Sequence, residues 1–143
     1  MRHFQFSMEK ILEIRRFEQH EAELALGAAN AAVSRIQEKL DAIAQQRVAV
    51  TRQTDESDDM AFYAHAQQYF LFLNQREELF LRDMAKARLV VEERSAAVRK
   101  AMQNVKVLEK FRESKFNEWK KSRLKEEEQL LDDVVTYRAK KMA

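Results

Sequence analysis

Proline is absent from this chain, and glycine occurs once in 143 residues. These two residues punctuate loops, tight turns and helix ends. A chain almost without them cannot supply many short elements joined by tight turns, but it can supply very long helices. Along the same length, apolar residues recur on a three-then-four spacing, which makes such helices pair lengthwise. A pocketed enzyme is not expected from such a pattern.

Composition narrows the class further. Charged residues make up 35% of the chain, against about 25% in an ordinary globular domain. That excess suits a thin rod, whose surface is large relative to its seam. Aromatic content is 9%, with nine Phe, which argues against a disordered polyelectrolyte. A formal net charge of +2 is not the mark of a nucleic-acid binder. The lack of cysteine excludes a disulfide scaffold and a Cys-ligated metal, and it fits the reducing cytoplasm. Met1 to Lys10 has no apolar run, so no signal peptide is expected. No stretch approaches the roughly 18 apolar residues of a membrane-spanning helix.

Met1 to Phe6 reads as an extended lead-in, and Ser7 as the N-cap of helix one. Glu9 comes next but one, favourably placed near the positive end of the helix dipole. Helix one is expected over about 7–52. Its seam reads Leu12, Arg15, Gln19, Ala22, Leu26, Ala29, Val33, Ile36, Leu40, Ile43, Arg47, Val50. The polar stretch Gln53 to Asp59 reads as the turn, about 53–58, with Ser57 or Asp58 as the cap of helix two. Helix two is expected over about 58–138. Its seam reads Tyr63, Ala66, Phe70, Leu73, Glu77, Phe80, Met84, Ala87, Val91, Arg94, Val98, Ala101, Val105, Leu108. The expected fold is all-α: residues 1–143 form a single two-helix antiparallel coiled-coil hairpin with unequal arms, helix two overhanging at the C-terminal end.

Folding about Glu56 pairs residue numbers that add to about 112. In that register Glu77 faces Arg35, Arg94 faces Glu18, and the Ala-rich stretch from Ala25 to Ala32 faces Met84, Ala85 and Ala87. Gly27, costing about 1 kcal/mol in a helix interior, is then excused by close approach of the helices. Helix two outruns its partner from about residue 105, by about 35 residues or ~50 Å at 1.5 Å each. The overhang carries Phe111, Phe116, Trp119, Leu124, Leu130, Leu131, Val134, Val135 and Tyr137 without an intramolecular partner, the mark of a binding surface.

Catalytic and metal chemistry find little support. Glu126 to Glu128 and Asp132-Asp133 sit on a helix with no cleft to desolvate them. His3, His20 and His65 are too far apart to converge on a metal. There is no phosphate loop or nucleophile motif, so neither enzymatic activity, nor a metal, nor a cofactor is expected. A basic run, from Arg99 and Lys100 through Lys106, Lys110, Arg112 and Lys115 to Lys120, Lys121, Arg123 and Lys125, is offset only by Glu109, Glu113 and Glu118. It reads as a face docking an acidic protein, as a solvated surface, or as a nucleic-acid contact. The interleaved Phe111, Phe116 and Trp119 favour protein, and no nucleic-acid partner is expected. Phe62, Tyr63, Tyr69, Phe70 and Phe72 crowd the start of helix two, either as a wide aromatic plug or as an exposed patch.

Both ends of the chain resemble one known family. The opening Phe4-Gln5-Phe6-Ser7-Met8-Glu9-Lys10-Ile11-Leu12-Glu13-Ile14-Arg15 looks like the start of FliJ proteins, small coiled coils of flagellar type III export. Leu108-Glu109-Lys110-Phe111-Arg112-Glu113-Ser114-Lys115, then Glu126 to Glu128, Leu130, Asp132-Asp133 and Tyr137-Arg138, are similar to its later pattern. The resemblance spans nearly the whole chain. It implies an antiparallel hairpin similar to the gamma stalk of rotary ATPases. It also implies three partners: the ring of the flagellar export ATPase (FliI), the cytoplasmic domain of the export gate FlhA, and export chaperones. Localisation would be cytoplasmic, with peripheral association at the inner membrane.

In such a protein the gate contacts lie near the turn. Gln67-Gln68-Tyr69 matches the family's Gln-Gln-aromatic element and leads to Leu73, Arg76 and Phe80, with Ile43, Gln46 and Val50 facing them on helix one. Arg76 and Gln46 depart from the small or aromatic residues of other members. ATPase docking would fall to Phe111, Arg112, Phe116, Trp119, Lys120 and Arg123. Two other readings stay open: the related stalk of an injectisome, and a prefoldin-like holdase gripping unfolded clients.

Overall fold

A computed structural model describes residues 3–142; Met1 and Arg2 of the expected lead-in, and Ala143, lie outside the described residues. Two α-helices account for nearly all of it: α1, Glu9–Glu56, of 48 residues, and α2, Met60–Met142, of 83. They pack against each other as a hairpin, and no strand occurs among the described residues. The chain divides into two compact units, a tip unit (His20–Arg99) and a terminal unit (Met1–Gln19 with Lys100–Ala143).

In the tip unit the turn is shorter and later than the sequence suggests. The expected turn residues 53–56 stay helical, because nothing in them obliges the backbone to leave the helix. The Thr51 and Thr54 hydroxyls donate to the carbonyls of Arg47 and Val50, at 2.7 and 2.8 Å, and so stay within the helix. Only Ser57 to Asp59 connects α1 to α2. Asp59 caps α2: its carboxylate accepts the Ala61 N–H at 3.0 Å, and its carbonyl accepts the Tyr63 N–H at 3.2 Å. Ser57, expected as a cap with Asp58 as the alternative, instead accepts the Asp59 N–H on its hydroxyl at 3.2 Å. The Tyr63 hydroxyl closes the turn by donating to the Ser57 carbonyl at 3.0 Å.

The seam obeys the heptad spacing closely. On α1 every expected seam residue from Ala22 to Val50 is buried or half-buried, with Ala29 and Ile43 fully so. On α2 Ala66, Leu73 and Met84 are buried, Leu73 to 1% exposure. Arg94 is exposed, and the smaller Ser95 takes the half-buried place beside Val91 and Val98. A small side chain with little hydration to lose fits there better than a guanidinium without a partner.

The pairing register differs from the expected one. Arg47 bonds Glu77 and Asn74, and the Lys39 ammonium lies over the Phe80 ring. Paired numbers therefore add to about 120 rather than 112. Glu77 is thus matched with Arg47 and not with Arg35, and Glu18 takes Arg15 on its own helix at 3.1 Å instead of Arg94. Numbers adding to about 120 set the Ala-rich stretch of α1 opposite Val91 and Ser95 rather than Met84. Gly27 has open space around the position a Cβ would take, so close approach does not explain it.

In the terminal unit α1 begins one turn after the lead-in. The Glu9 N–H donates to the Phe6 carbonyl at 3.1 Å and the Leu12 N–H to the Met8 carbonyl at 2.9 Å. Ser7, the expected cap, lies in the preceding turn, with no capping bond from its hydroxyl among the described residues. Leu12 is wholly buried at 0% exposure, and Ala101 and Val105 are the buried residues of α2 here. Two ion pairs flank this seam: Arg112 with Glu9 at 2.9 Å, and Arg16 with Glu109 at 3.4 Å.

The overhang is consequently shorter than expected. Residues 105–119 are not bare, because α1 and the lead-in lie against them. From Lys120 to Met142 every residue is exposed, a stretch of ~35 Å.

Candidate docking surfaces

The terminal surface is built by the lead-in. In an extended segment, residues two apart point the same way, so Phe4 and Phe6 both turn onto α2. Phe6 is buried and meets Phe111, centroids 5.5 Å apart. Phe4 meets Phe116 edge-on at 5.2 Å and Trp119 at 5.9 Å, while Phe116 and Trp119 stack on each other at 5.8 Å. The expectation that Phe111, Phe116 and Trp119 lack intramolecular partners is therefore corrected. They remain accessible all the same: Phe111 and Phe116 are about 40% and 39% exposed, and Trp119 is half-buried.

Cations rim these rings. The Arg112 guanidinium lies 5.6 Å from the Phe4 centroid, Lys115 5.5 Å from Phe111 and Arg123 5.5 Å from Trp119. Arg112, Lys115 and Arg123 also pair with Glu9, Glu118 and Glu127. Three cations of the basic run are thus paired locally, and such exposed pairs add little stability. Lys120 stands exposed on the next turn. Of the residues assigned to ATPase docking, the structure gathers Phe111, Arg112, Phe116, Trp119 and Arg123 around one cluster. Phe4 and Phe6, missing from that assignment, complete it. Their signal in the sequence was the Phe-x-Phe spacing within an extended segment.

The tip surface separates what the sequence grouped together. Leu73 and Ile43 belong to the seam, at 1% and 3% exposure, and offer a partner almost nothing. Val50 is half-buried and Gln46 exposed. Tyr69, Arg76 and Phe80 form an outward ladder with Phe72, which the gate assignment lacked. Tyr69 stacks on Phe72 at 6.3 Å, and the Arg76 guanidinium lies 5.6 Å from Phe72 and 5.3 Å from Phe80. The crowded aromatics therefore divide: Tyr63 closes the turn, Phe62 and Phe70 are half-buried, and Phe72 is largely exposed.

His3, His20 and His65 are exposed, and no group of metal-ligating side chains occurs among the described residues. No helix among the described residues is long and apolar enough to cross a membrane. Both surfaces have the aromatic and arginine composition of protein-binding hot spots.

No curated protein matches the chain, and no solved structure does. The model of the family described as flagellar FliJ protein matches residues 4–142, a span that begins at Phe4 and takes in both surfaces. The chain belongs to the FliJ family and is a coiled-coil protein of flagellar export.

Proposed function

We propose that the protein is a non-enzymatic stalk of the flagellar type III export apparatus. Its terminal unit docks into the ring of the export ATPase, and its tip unit engages the cytoplasmic domain of the export gate. Export chaperones are further partners, and attachment to the inner membrane is peripheral, through the apparatus. The observation that supports this most is the half-exposed cluster of Phe4, Phe111, Phe116 and Trp119 rimmed by Arg112, Lys115 and Arg123. Rigid aromatic anchors with adjoining cations bind protein at low entropic cost. Family membership supports the flagellar reading over an injectisome stalk.

The test adds the purified protein to the export ATPase and monitors ATP hydrolysis. Stimulation separates a stalk from a holdase. Trp119→Ala with Phe116→Ala should abolish it; unchanged stimulation would remove the terminal unit as the docking site. For the gate, Tyr69→Ala with Arg76→Ala should weaken binding to its cytoplasmic domain, and undiminished binding would reject the tip assignment.

A further inference from the structure

The lead-in holds its two rings in different ways. Phe6 is buried against Phe111, and its carbonyl accepts the Glu9 N–H, which ties it to the first turn of α1. Phe4 is half-buried and lies against side chains: Phe116, Trp119 and the Arg112 guanidinium. Among the described residues no hydrogen bond joins residues 3–8 to α2; the nearest is that of Arg112 to Glu9, already inside α1. Beside the Phe4 contact an open groove remains between lead-in and helix, with Gln5 and Ser7 on one side and Lys115, Glu118 and Ser122 on the other.

A contact of that kind is readily given up. Fixing one extended residue costs about as much conformational entropy as one aromatic pair contributes. At Phe6 burial and a backbone bond offset that cost, whereas at Phe4 the ring contacts act alone. The lead-in therefore opens at Phe4 and stays anchored at Phe6. Opening uncovers Trp119, Phe116 and Arg112, the residue types that dominate binding hot spots. The ring that lies there shows what the place accepts. An aromatic side chain reproduces the edge-on contact with Phe116, the contact with Trp119 and the cation–π contact with Arg112, and an aliphatic one reproduces only the burial.

We infer that Phe4 is a removable cover: in the free protein it occupies the place beside Phe116, Trp119 and Arg112 that an aromatic side chain of the export ATPase takes on docking. This rests on the reading of the terminal unit as the ATPase-docking site, and adds that the lead-in competes with the partner for it. Displacing Phe4 subtracts its contacts from the binding free energy. The cover also sharpens selection, because a partner without a ring at that place gains too little there to open it.

Titrating the export ATPase with the full chain, and reading the stimulation of ATP hydrolysis, tests this. Phe4→Ala should lower the concentration needed for half-maximal stimulation about three- to tenfold, the contribution of one aromatic pair. The chain has no cysteine, so Gln5→Cys with Ser122→Cys, two positions on the same groove, can be bridged by a reducible bismaleimide. The bridged protein should lose stimulation, and reduction of the bridge should return it. Circular dichroism checks that the helices persist. Phe4→Ala that stimulates at the native concentration, or only at a higher one, overturns the inference, since Phe4 is then a bystander or itself an anchor on the partner. So does a bridged protein that stimulates as well as the reduced one. Trp119→Ala with Phe116→Ala separates the two readings. If that pair abolishes stimulation while Phe4→Ala fails to tighten binding, the cover is wrong and the docking site stands. If the pair leaves stimulation intact, the docking site is wrong and the cover falls with it.

Discussion

Arg47 of α1 reaches across the hairpin to Glu77 and Asn74 of α2, so two charged residues that interrupt the apolar seam satisfy each other within it. Both side chains are about one-third exposed. A pair so placed loses part of its hydration and regains it as charge-assisted hydrogen bonds. Its use is positional: slid along by a turn, either charge would face an apolar seam residue, Leu73 or Phe80 for Arg47 and Ile43 or Val50 for Glu77.

Removing one partner should therefore cost more than a surface pair would. Arg47→Ala or Glu77→Ala should each lower stability by about 1–2 kcal/mol, between the values for exposed and buried pairs. The double variant should lose less than the sum, as coupled residues do. Arg35→Ala, at the position the sequence paired with Glu77, should change stability by less than about 0.5 kcal/mol. Urea denaturation of the four variants measures all of this, and an Arg35→Ala cost equal to that of Arg47→Ala would contradict the observed register.

That register marks the boundary of what the sequence could convey. Leu12, Ile43, Leu73 and Met84 were legible as seam residues because burial obeys the heptad spacing directly. The stagger was not legible. Sliding one helix by a heptad again sets apolar on apolar, and the difference between 112 and about 120 is close to one heptad. What selects the register is the specific bonding of Arg47 and the three-residue turn at Ser57 to Asp59, neither visible in periodicity. The terminal cluster was half legible for a related reason. Phe111, Phe116 and Trp119 stand out by type, but Phe4 and Phe6 fall in an extended lead-in, and a segment without helical periodicity gives no hint of what it packs on.

The seam also decides how Leu73 and Tyr69 should behave when truncated. Leu73 is among the most buried side chains, and Leu73→Ala should cost about 2–4 kcal/mol through lost burial and a residual cavity. Tyr69 is half-buried and stacks outward on Phe72, so Tyr69→Ala should cost less than about 1 kcal/mol. Thermal or urea unfolding distinguishes them. The contrast bears on gate binding: a defect in Leu73→Ala would report a loosened seam, whereas one in Tyr69→Ala would report the surface.

Trp119 is the only tryptophan, which makes it a built-in reporter of the lead-in. Phe4 covers part of its ring and of Phe116. Phe4→Ala should open Trp119 to water and shift its emission to longer wavelength. The cost should be about 0.5–1.5 kcal/mol, the worth of an aromatic pair, because α1 and the seam below are untouched. Fluorescence and iodide quenching of the two proteins give the answer. Identical spectra would mean that the lead-in does not hold Phe4 against the cluster.

Gly27 offers the clearest case where structure and sequence expectation give opposite signs. The sequence excuses a glycine inside a helix by close approach of the partner, in which case any side chain would clash and destabilise. The structure leaves open space at the position of its Cβ, and the residue is exposed with ordinary helical backbone. Gly27→Ala should then stabilise by about 1 kcal/mol, since alanine removes backbone freedom from the unfolded chain and adds nothing to clash with. For a chain of this size that is a rise of about 2–4 °C in Tm. A fall in Tm by calorimetry would mean that the helices approach more closely at Gly27 than the structure places them.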